Sequence, residues 1–137
     1  MTSKTAPVAV AIFNSNDDVV EMLRLALEME GLVAISGHVD ELRRGRLTLL
    51  DIVKEHDPRV IIYDLVPPYD HSWRFLDHMR QNDDMRGREF VITSTNPKRA
   101  TELVGATEPV LEIIGKPYDI HQIVEAVKQA AARARKS

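Results

Sequence analysis

Residues 8–31 read VAVAIFNSNDDVVEMLRLALEMEG and contain, in order, a buried-strand pattern and an amphipathic-helix pattern. The apolar run over 8–13 is typical of a strand that is buried on both faces. From Val19 to Glu30, apolar residues recur at helical spacing until Gly31, a residue type that commonly ends a helix. The stretch therefore predicts a strand followed by a helix, the repeating unit of a parallel α/β sheet.

The same alternation recurs along the rest of the chain, and no Pro/Gly/Ser-rich linker interrupts it. The predicted strands are 8–13, 33–37, 60–64, 90–94 and 110–114, and the predicted helices are 19–30, 47–56, 73–81, 99–104 and 120–133. This order predicts an α/β domain with a doubly wound, five-stranded parallel sheet and helices on both faces.

Composition limits the classes of protein to consider. We expect 1–137 to form one domain, with 1–7 as a flexible N-terminus and 134–137 as a C-terminal tail. A net charge of -3 offers no attraction for nucleic acid or an anionic membrane. The sequence has 0 cysteines, which excludes disulfides and thiolate metal sites. With no signal peptide and no long apolar run, the sequence favours a cytoplasmic location.

A basic cluster near the C-terminus has three interpretations. Arg133, Arg135 and Lys136 follow the last predicted helical pattern, where cations complement the helix dipole. The alternatives are a linker to a further domain and a weak nucleic-acid arm.

Polar residues follow several predicted strands, and parallel α/β sheets bind ligands outside the carboxyl ends of their strands. These residues are Asn14, Ser15, Asp64, Ser94 and Lys116. Asp64 is either a site carboxylate or a cap for the loop behind it. Lys116 is either a site cation or an ordinary solvated lysine.

Three short motifs occur in a characteristic order: DLVPP at 64–68, FVITS at 90–94 and GKPYD at 115–119. With the segment LRLALEMEGL at 23–32, they make the chain resemble the receiver domain of two-component response regulators, from Val8 to about Arg133. The resemblance implies a flavodoxin-like sheet with strand order 2-1-3-4-5.

The resemblance also implies roles for individual residues. Asp64 matches the phosphoacceptor, Lys116 the lysine that contacts the phosphoryl group, and Ser94 the switch hydroxyl. The implied function is phosphoryl acceptance from a sensor histidine kinase or phosphotransfer protein, with signalling to an output domain or protein target. No enzymatic activity is implied beyond phosphoryl acceptance and autodephosphorylation, and a homodimer is a further expectation.

The chain departs from the family pattern after its first strand. The acidic pair that holds magnesium in the family falls on Asn14 and Ser15, whereas Asp17 and Asp18 fall at the start of the first helix. Asn16 or Asp17 is the expected cap of that helix. An alternative register, with the strand shifted by about three residues, would bring the two aspartates into the site.

This departure predicts weak or absent Mg²⁺ binding, with Asp64 as the only carboxylate ligand, and no firm cofactor. Val66 and Pro68 are expected to line the site. Ile113 stands where the family often has a switching Tyr or Phe.

The alternative function is a degenerate pseudo-receiver that binds proteins without phosphorylation. In that reading Tyr69, Trp73 and Phe75 form an interaction surface, and otherwise they cover the core.

Other ligand classes lack their motifs. The segment after the first strand lacks the glycines of a dinucleotide site, and it offers one hydroxyl where a flavodoxin phosphate loop needs several. Val66 stands where a haloacid-dehalogenase-type phosphatase has a second Asp. The segment DHSWRF at 70–75 does not match the Asp-x-His-x-x-Gly motif of a cobalamin-binding module. His71 and His78 are two helical turns apart, too far for one small ion.

Overall fold

The computed structural model describes residues 8–14, 16–38, 41, 48–94, 96–105, 110–112 and 120–136. Its strands are β1 (Ala9–Asn14), β2 (Val33–His38), β3 (Val60–Leu65), β4 (Glu89–Ser94) and β5 (Val110–Glu112). They form one parallel sheet in the order β2-β1-β3-β4-β5. The predicted fold class and strand order are confirmed.

Helices follow the strands, as the alternating pattern predicts. They are α1 (Asp17–Met29), α2 (Leu49–His56), α3 (Tyr69–Arg80), α4 (Pro97–Val104) and α5 (Ile120–Lys136), and a short 3-10 helix spans Asp83–Met85. Within the described part of the chain, no helix is long and apolar enough to span a membrane.

The sheet separates two hydrophobic cores because successive strand residues point to opposite faces. One face carries Val10, Ile12, Val60, Ile62 and Val91, which pack with α1 and α5. The opposite face carries Ala11, Phe13, Ile61, Tyr63, Phe90 and Ile92, which pack with α2, α3 and α4. We call these the α1/α5 core and the α2–α4 core.

The predicted start of α3 at Trp73 is wrong, because the helix begins at Tyr69. Pro68 is its N-cap, with φ -71° and ψ 124°, and the Ser72 N–H donates to the Pro68 carbonyl at 3.0 Å. Proline suits the start of a helix because its φ is fixed and it needs no partner for a missing N–H. The first turn is mostly polar, so apolar periodicity alone places the helix four residues late.

The C-terminal helix is also longer than predicted. It continues through Lys136, so most of the predicted tail 134–137 is helical. Arg133 lies on this helix and its Nε is 2.9 Å from a carboxylate oxygen of Glu89. That contact supports the interpretation of the basic cluster as part of the last helix. The predicted flexible segment 1–7 lies outside the described residues.

Candidate functional site

Three polar side chains lie at the carboxyl edge of the sheet. Asp64 on β3 pairs directly with Thr93 on β4. Phe13 pairs with Tyr63 on the neighbouring strands, so Asn14 and Asp64 are the next residues along. Strand alternation places Asn14, Asp64 and Thr93 on the face of the α1/α5 core.

This edge also concentrates the buried polar groups of the protein. Among the described residues, the buried polar or charged side chains are Asn14, Asp64, Ser72, Thr93 and Ser94. Each is at the carboxyl end of a strand or in the first turn of α3, directly after β3. Since burying a polar group costs free energy unless it is hydrogen-bonded, such a concentration indicates a built site.

Asp64 is the buried carboxylate of this site. Its side chain is only 6% exposed, and the Thr93 hydroxyl donates a hydrogen bond of 2.8 Å to Asp64 Oδ1. Burial raises the pKa of Asp64 from 3.8 to about 6, although the hydrogen bond from Thr93 opposes the shift. The environment therefore holds a carboxylate that is more basic than an exposed aspartate.

Thr93 carries the hydroxyl that contacts Asp64, and it is not among the site residues predicted from the sequence. The predicted switch hydroxyl, Ser94, is buried, and its Oγ accepts from the Asn96 N–H at 3.0 Å. Ser94 and Thr93 are consecutive strand residues, so they lie on opposite faces of the sheet. Ser94 is on the same face as Ile92, which belongs to the α2–α4 core. Alternation along FVITS was the available signal, because it puts Val91 and Thr93 on the face of Asp64.

The end of β1 is built around two asparagines. Asn14 is 3% exposed, and its Oδ1 accepts from the Asn16 N–H at 2.8 Å. Asn16 is the N-cap of α1, and its Oδ1 accepts from the backbone N–H groups of Asp18 at 2.9 Å and Val19 at 3.2 Å. The predicted cap at Asn16 is confirmed.

The two aspartates that follow are exposed residues of the first turn of α1. Carboxylates at this end of a helix are favoured by its dipole. The alternative register, which would carry Asp17 and Asp18 into the site, is therefore not the one adopted.

The loop after β3 contains the other predicted lining residues. The Val66 N–H donates to the Ser72 Oγ at 3.3 Å, and Pro68 is exposed at the start of α3. The peptide bond between Pro67 and Pro68 is cis. Three predicted site residues, Ser15, Ile113 and Lys116, lie outside the described residues.

The aromatic residues near this loop cover the core. Tyr69, Trp73 and Phe75 are partly buried and pack against the α2–α4 core. The guanidinium of Arg80 lies 5.2 Å from the centre of a Trp73 ring, a cation–π distance. These contacts favour the covering role over a free interaction surface.

The described residues at this edge do not fit a magnesium ion. In that part of the chain no group of three or more His, Asp or Glu side chains is arranged to hold a metal. Asn14 Oδ1 is already engaged by the Asn16 N–H. Magnesium is octahedrally coordinated by oxygen atoms and is held in proteins chiefly by carboxylates. Asp64 is the one buried carboxylate among the described residues here.

A surface cavity of about 270 Å³ lies elsewhere, near the amino end of β1. Val8, Gly31 and Lys128 contribute to its lining, and Lys128 is 3.1 Å from a carboxylate oxygen of Glu30. It shares no residue with the carboxyl edge. The buried polar groups, rather than this cavity, define the candidate site.

No protein-family model matches the sequence, and no curated protein matches it either. Solved structures do match. A response regulator receiver protein from Pseudomonas putida is 20% identical, with a TM-score of 0.62 over 92% of this chain and 99% of its own.

A sensor protein from Polaromonas sp. JS666 is 19% identical, with a TM-score of 0.70 over 93% of this chain and 98% of its own. The signal receiver domain of an HD domain-containing protein from Pseudomonas fluorescens Pf-5 is 13% identical, with a TM-score of 0.71 over 96% of this chain and 100% of its own. The chain therefore has the fold of response regulator receiver domains.

Proposed function

We propose that this protein is a receiver of a two-component phosphorelay and accepts a phosphoryl group on Asp64. The observation that carries the proposal is the buried Asp64 carboxylate, hydrogen-bonded to Thr93 at the carboxyl edge of the sheet. In this type of sheet that edge is where ligands bind. A sensor histidine kinase or a phosphotransfer protein would supply the phosphoryl group.

The chemistry requires an ionised, oriented carboxylate. With a pKa of about 6, Asp64 is ionised in about nine tenths of the molecules at about pH 7. The same shift makes the carboxylate a stronger base than an exposed aspartate, which favours its attack on phosphorus. Thr93 holds Oδ1, so Oδ2 is the attacking atom in this proposal.

The transfer is a single displacement at phosphorus. The bond between Asp64 Oδ2 and phosphorus forms as the bond between phosphorus and the donor imidazole nitrogen breaks. The electron pair stays on that nitrogen, and the product on Asp64 is a mixed anhydride. Attack by water on phosphorus later restores the carboxylate and releases inorganic phosphate.

Charge neutralisation is assigned to protein groups in this proposal. Lys116, which the motif GKPYD matches to the phosphoryl-contacting lysine, would offset the charge on the phosphoryl oxygens. No step runs through a metal ion, because the described donor set at this edge does not suit magnesium. We expect phosphorylation that depends weakly on Mg²⁺.

A second candidate is a pseudo-receiver that binds a protein partner without phosphorylation. One observation favours it: the strand end that carries acidic residues in the family has Asn14, whose amide oxygen is engaged by the Asn16 N–H. A site that never handles a phosphoryl group has no need of metal-binding carboxylates. The two candidates differ in a single measurable property, the ability of Asp64 to be phosphorylated.

Intact-mass measurement after incubation with phosphoramidate separates the two candidates. The receiver proposal predicts that the wild-type protein gains the mass of one phosphoryl group and that Asp64→Ala gains none. Asp77→Ala, which removes a carboxylate from α3, is the matched control and should gain it like wild type. No gain by the wild-type protein under conditions that modify another receiver would favour the pseudo-receiver.

A further inference from the structure

Ser72 is a buried hydroxyl that the phosphoryl-transfer chemistry above does not use. It is 0% exposed and lies in the first turn of α3. Its Oγ accepts a hydrogen bond from the Val66 N–H at 3.3 Å. The contact connects α3 to the segment that directly follows Asp64 and β3.

The Val66 amide has a particular position in that segment. Pro67 and Pro68 have no N–H, and α3 begins at Tyr69, so Val66 carries the last backbone donor before the helix. It is two residues beyond Asp64, about 7 Å along an extended chain. This distance lies within reach of a phosphoryl group carried on the Asp64 side chain.

A phosphoryl group on Asp64 would present oxygens that need hydrogen-bond donors. A bond from an N–H to a charged oxygen is shorter and stronger than one to a neutral hydroxyl. The bond between Val66 and Ser72 is neutral and, at 3.3 Å, longer than the usual N–H···O distance. Exchange of the hydroxyl for a phosphoryl oxygen would therefore be favourable.

We propose that Ser72 is a positioning residue that holds the Val66 N–H in the unmodified protein and releases it to the phosphoryl group on Asp64. The proposal rests on the proposed function, because it needs a phosphoryl group at Asp64. Ser72 takes part in no covalent step. Its hydroxyl satisfies the amide before transfer, so that the unmodified state does not contain an unpaired, partly buried donor.

The Ser72→Ala variant has an unusual expected result. The substitution leaves the Val66 N–H without its acceptor in the unmodified protein, whereas the phosphorylated protein supplies another acceptor. The unmodified state is thus selectively destabilised, and phosphorylation should become about three- to tenfold faster. A purely structural role would lower stability without accelerating the reaction.

The experiment measures the initial rate of phosphorylation by phosphoramidate, using intact mass, for wild type, Ser72→Ala and Ile52→Val. Ile52→Val is the matched control, because it removes one buried methylene from α2. Its rate should equal that of wild type. The Val66 amide signal in ¹H–¹⁵N spectra should shift downfield on phosphorylation in wild type and in Ser72→Ala.

The outcomes separate the two levels of the proposal. A faster rate for Ser72→Ala with a shifted Val66 signal supports the role of Ser72. Phosphorylation of wild type with an equal or slower rate for Ser72→Ala, or with an unmoved Val66 signal, overturns that role and leaves the receiver function standing. No phosphorylation of any variant overturns the receiver function and the role of Ser72 together.

Discussion

The carboxyl ends of β1 and β3 lie side by side in the sheet, and each carries a buried polar residue of different chemistry. At β3 the carboxylate of Asp64 is buried and paired with the Thr93 hydroxyl. At β1 the buried side chain is the neutral amide of Asn14, and Asp17 and Asp18 are exposed on α1.

The difference shows how a cap can change the chemistry of a site. Asn16 satisfies the first N–H groups of α1, and this fixes the helix start immediately after the strand. The aspartates are then directed into the first turn and away from the sheet edge. The site is left with one buried carboxylate among the described residues, and so with less negative charge to attract a divalent cation.

Among substitutions at these two strand ends, Asp64→Asn is expected to have the largest effect, and the quantity affected is the free energy of unfolding. Burial raises the pKa of Asp64 from 3.8 to about 6, so the folded protein binds this proton more tightly than the unfolded chain. Stability gained from the neutral acid is fully present below pH 3.8 and is lost as the pH rises through about 6. At about pH 8, the free energy of unfolding of the variant should exceed that of wild type by up to about 3 kcal/mol.

Urea denaturation at a series of pH values measures this difference, which should disappear below about pH 4. Asp18→Asn is the matched control, because the same substitution at an exposed position in the first turn of α1 removes a favourable dipole interaction. It should lower stability by about 0.5 kcal/mol. An Asp64→Asn variant no more stable than wild type at about pH 8 would contradict the description of Asp64 as a carboxylate whose charged form is disfavoured by burial.

An intermediate effect is expected from Asn14→Asp, which makes the end of β1 more like the end of β3. A second carboxylate at this edge should raise Mg²⁺ affinity by about tenfold, because two carboxylates attract the cation more strongly than one. Isothermal titration calorimetry measures the affinity. Asn82→Asp, at the exposed N-cap of the 3-10 helix, is the control and should leave it unchanged. Equal affinity in both variants would mean that Asn14 is not beside the acidic site.

The smallest effect is expected from Asn16→Ala. The change removes the acceptor of two backbone N–H groups, so the free energy of unfolding should fall by about 1 kcal/mol. Thermal or urea denaturation measures it. Asn16→Asp keeps the acceptor and should retain wild-type stability. If Asp17→Ala were more destabilising than Asn16→Ala, the N-cap of α1 would be Asp17, the other predicted cap, rather than Asn16.

Much of the fold could be predicted from sequence because its signals are local. Apolar runs and helical periodicity locate the strands and most helices within a few residues. The exception is α3, whose first turn is polar and follows two prolines, so its start depends on Pro68 rather than on periodicity. Asn16 as a cap was also a local signal.

The site was less predictable because it depends on register and burial. Asp64 and Asn14 were identified as residues at strand ends, but the choice between Thr93 and Ser94 depends on which face each hydroxyl occupies. The pairing of Asp64 with Thr93 places the Thr93 hydroxyl, rather than that of Ser94, beside the carboxylate. The acceptor role of Ser72 for the Val66 N–H depends on how α3 docks after the prolines, which no sequence period encodes.

The central claim is that Asp64 carries the phosphoryl group, and chemical mapping of the modified residue tests it most directly. An aspartyl phosphate is reduced by borohydride to homoserine, whereas an unmodified aspartate is not. After phosphoramidate treatment and reduction, tandem mass spectrometry should find homoserine at position 64 and unaltered aspartate at positions 70 and 77. Homoserine at another aspartate, or at none when other receivers are modified, would contradict the claim.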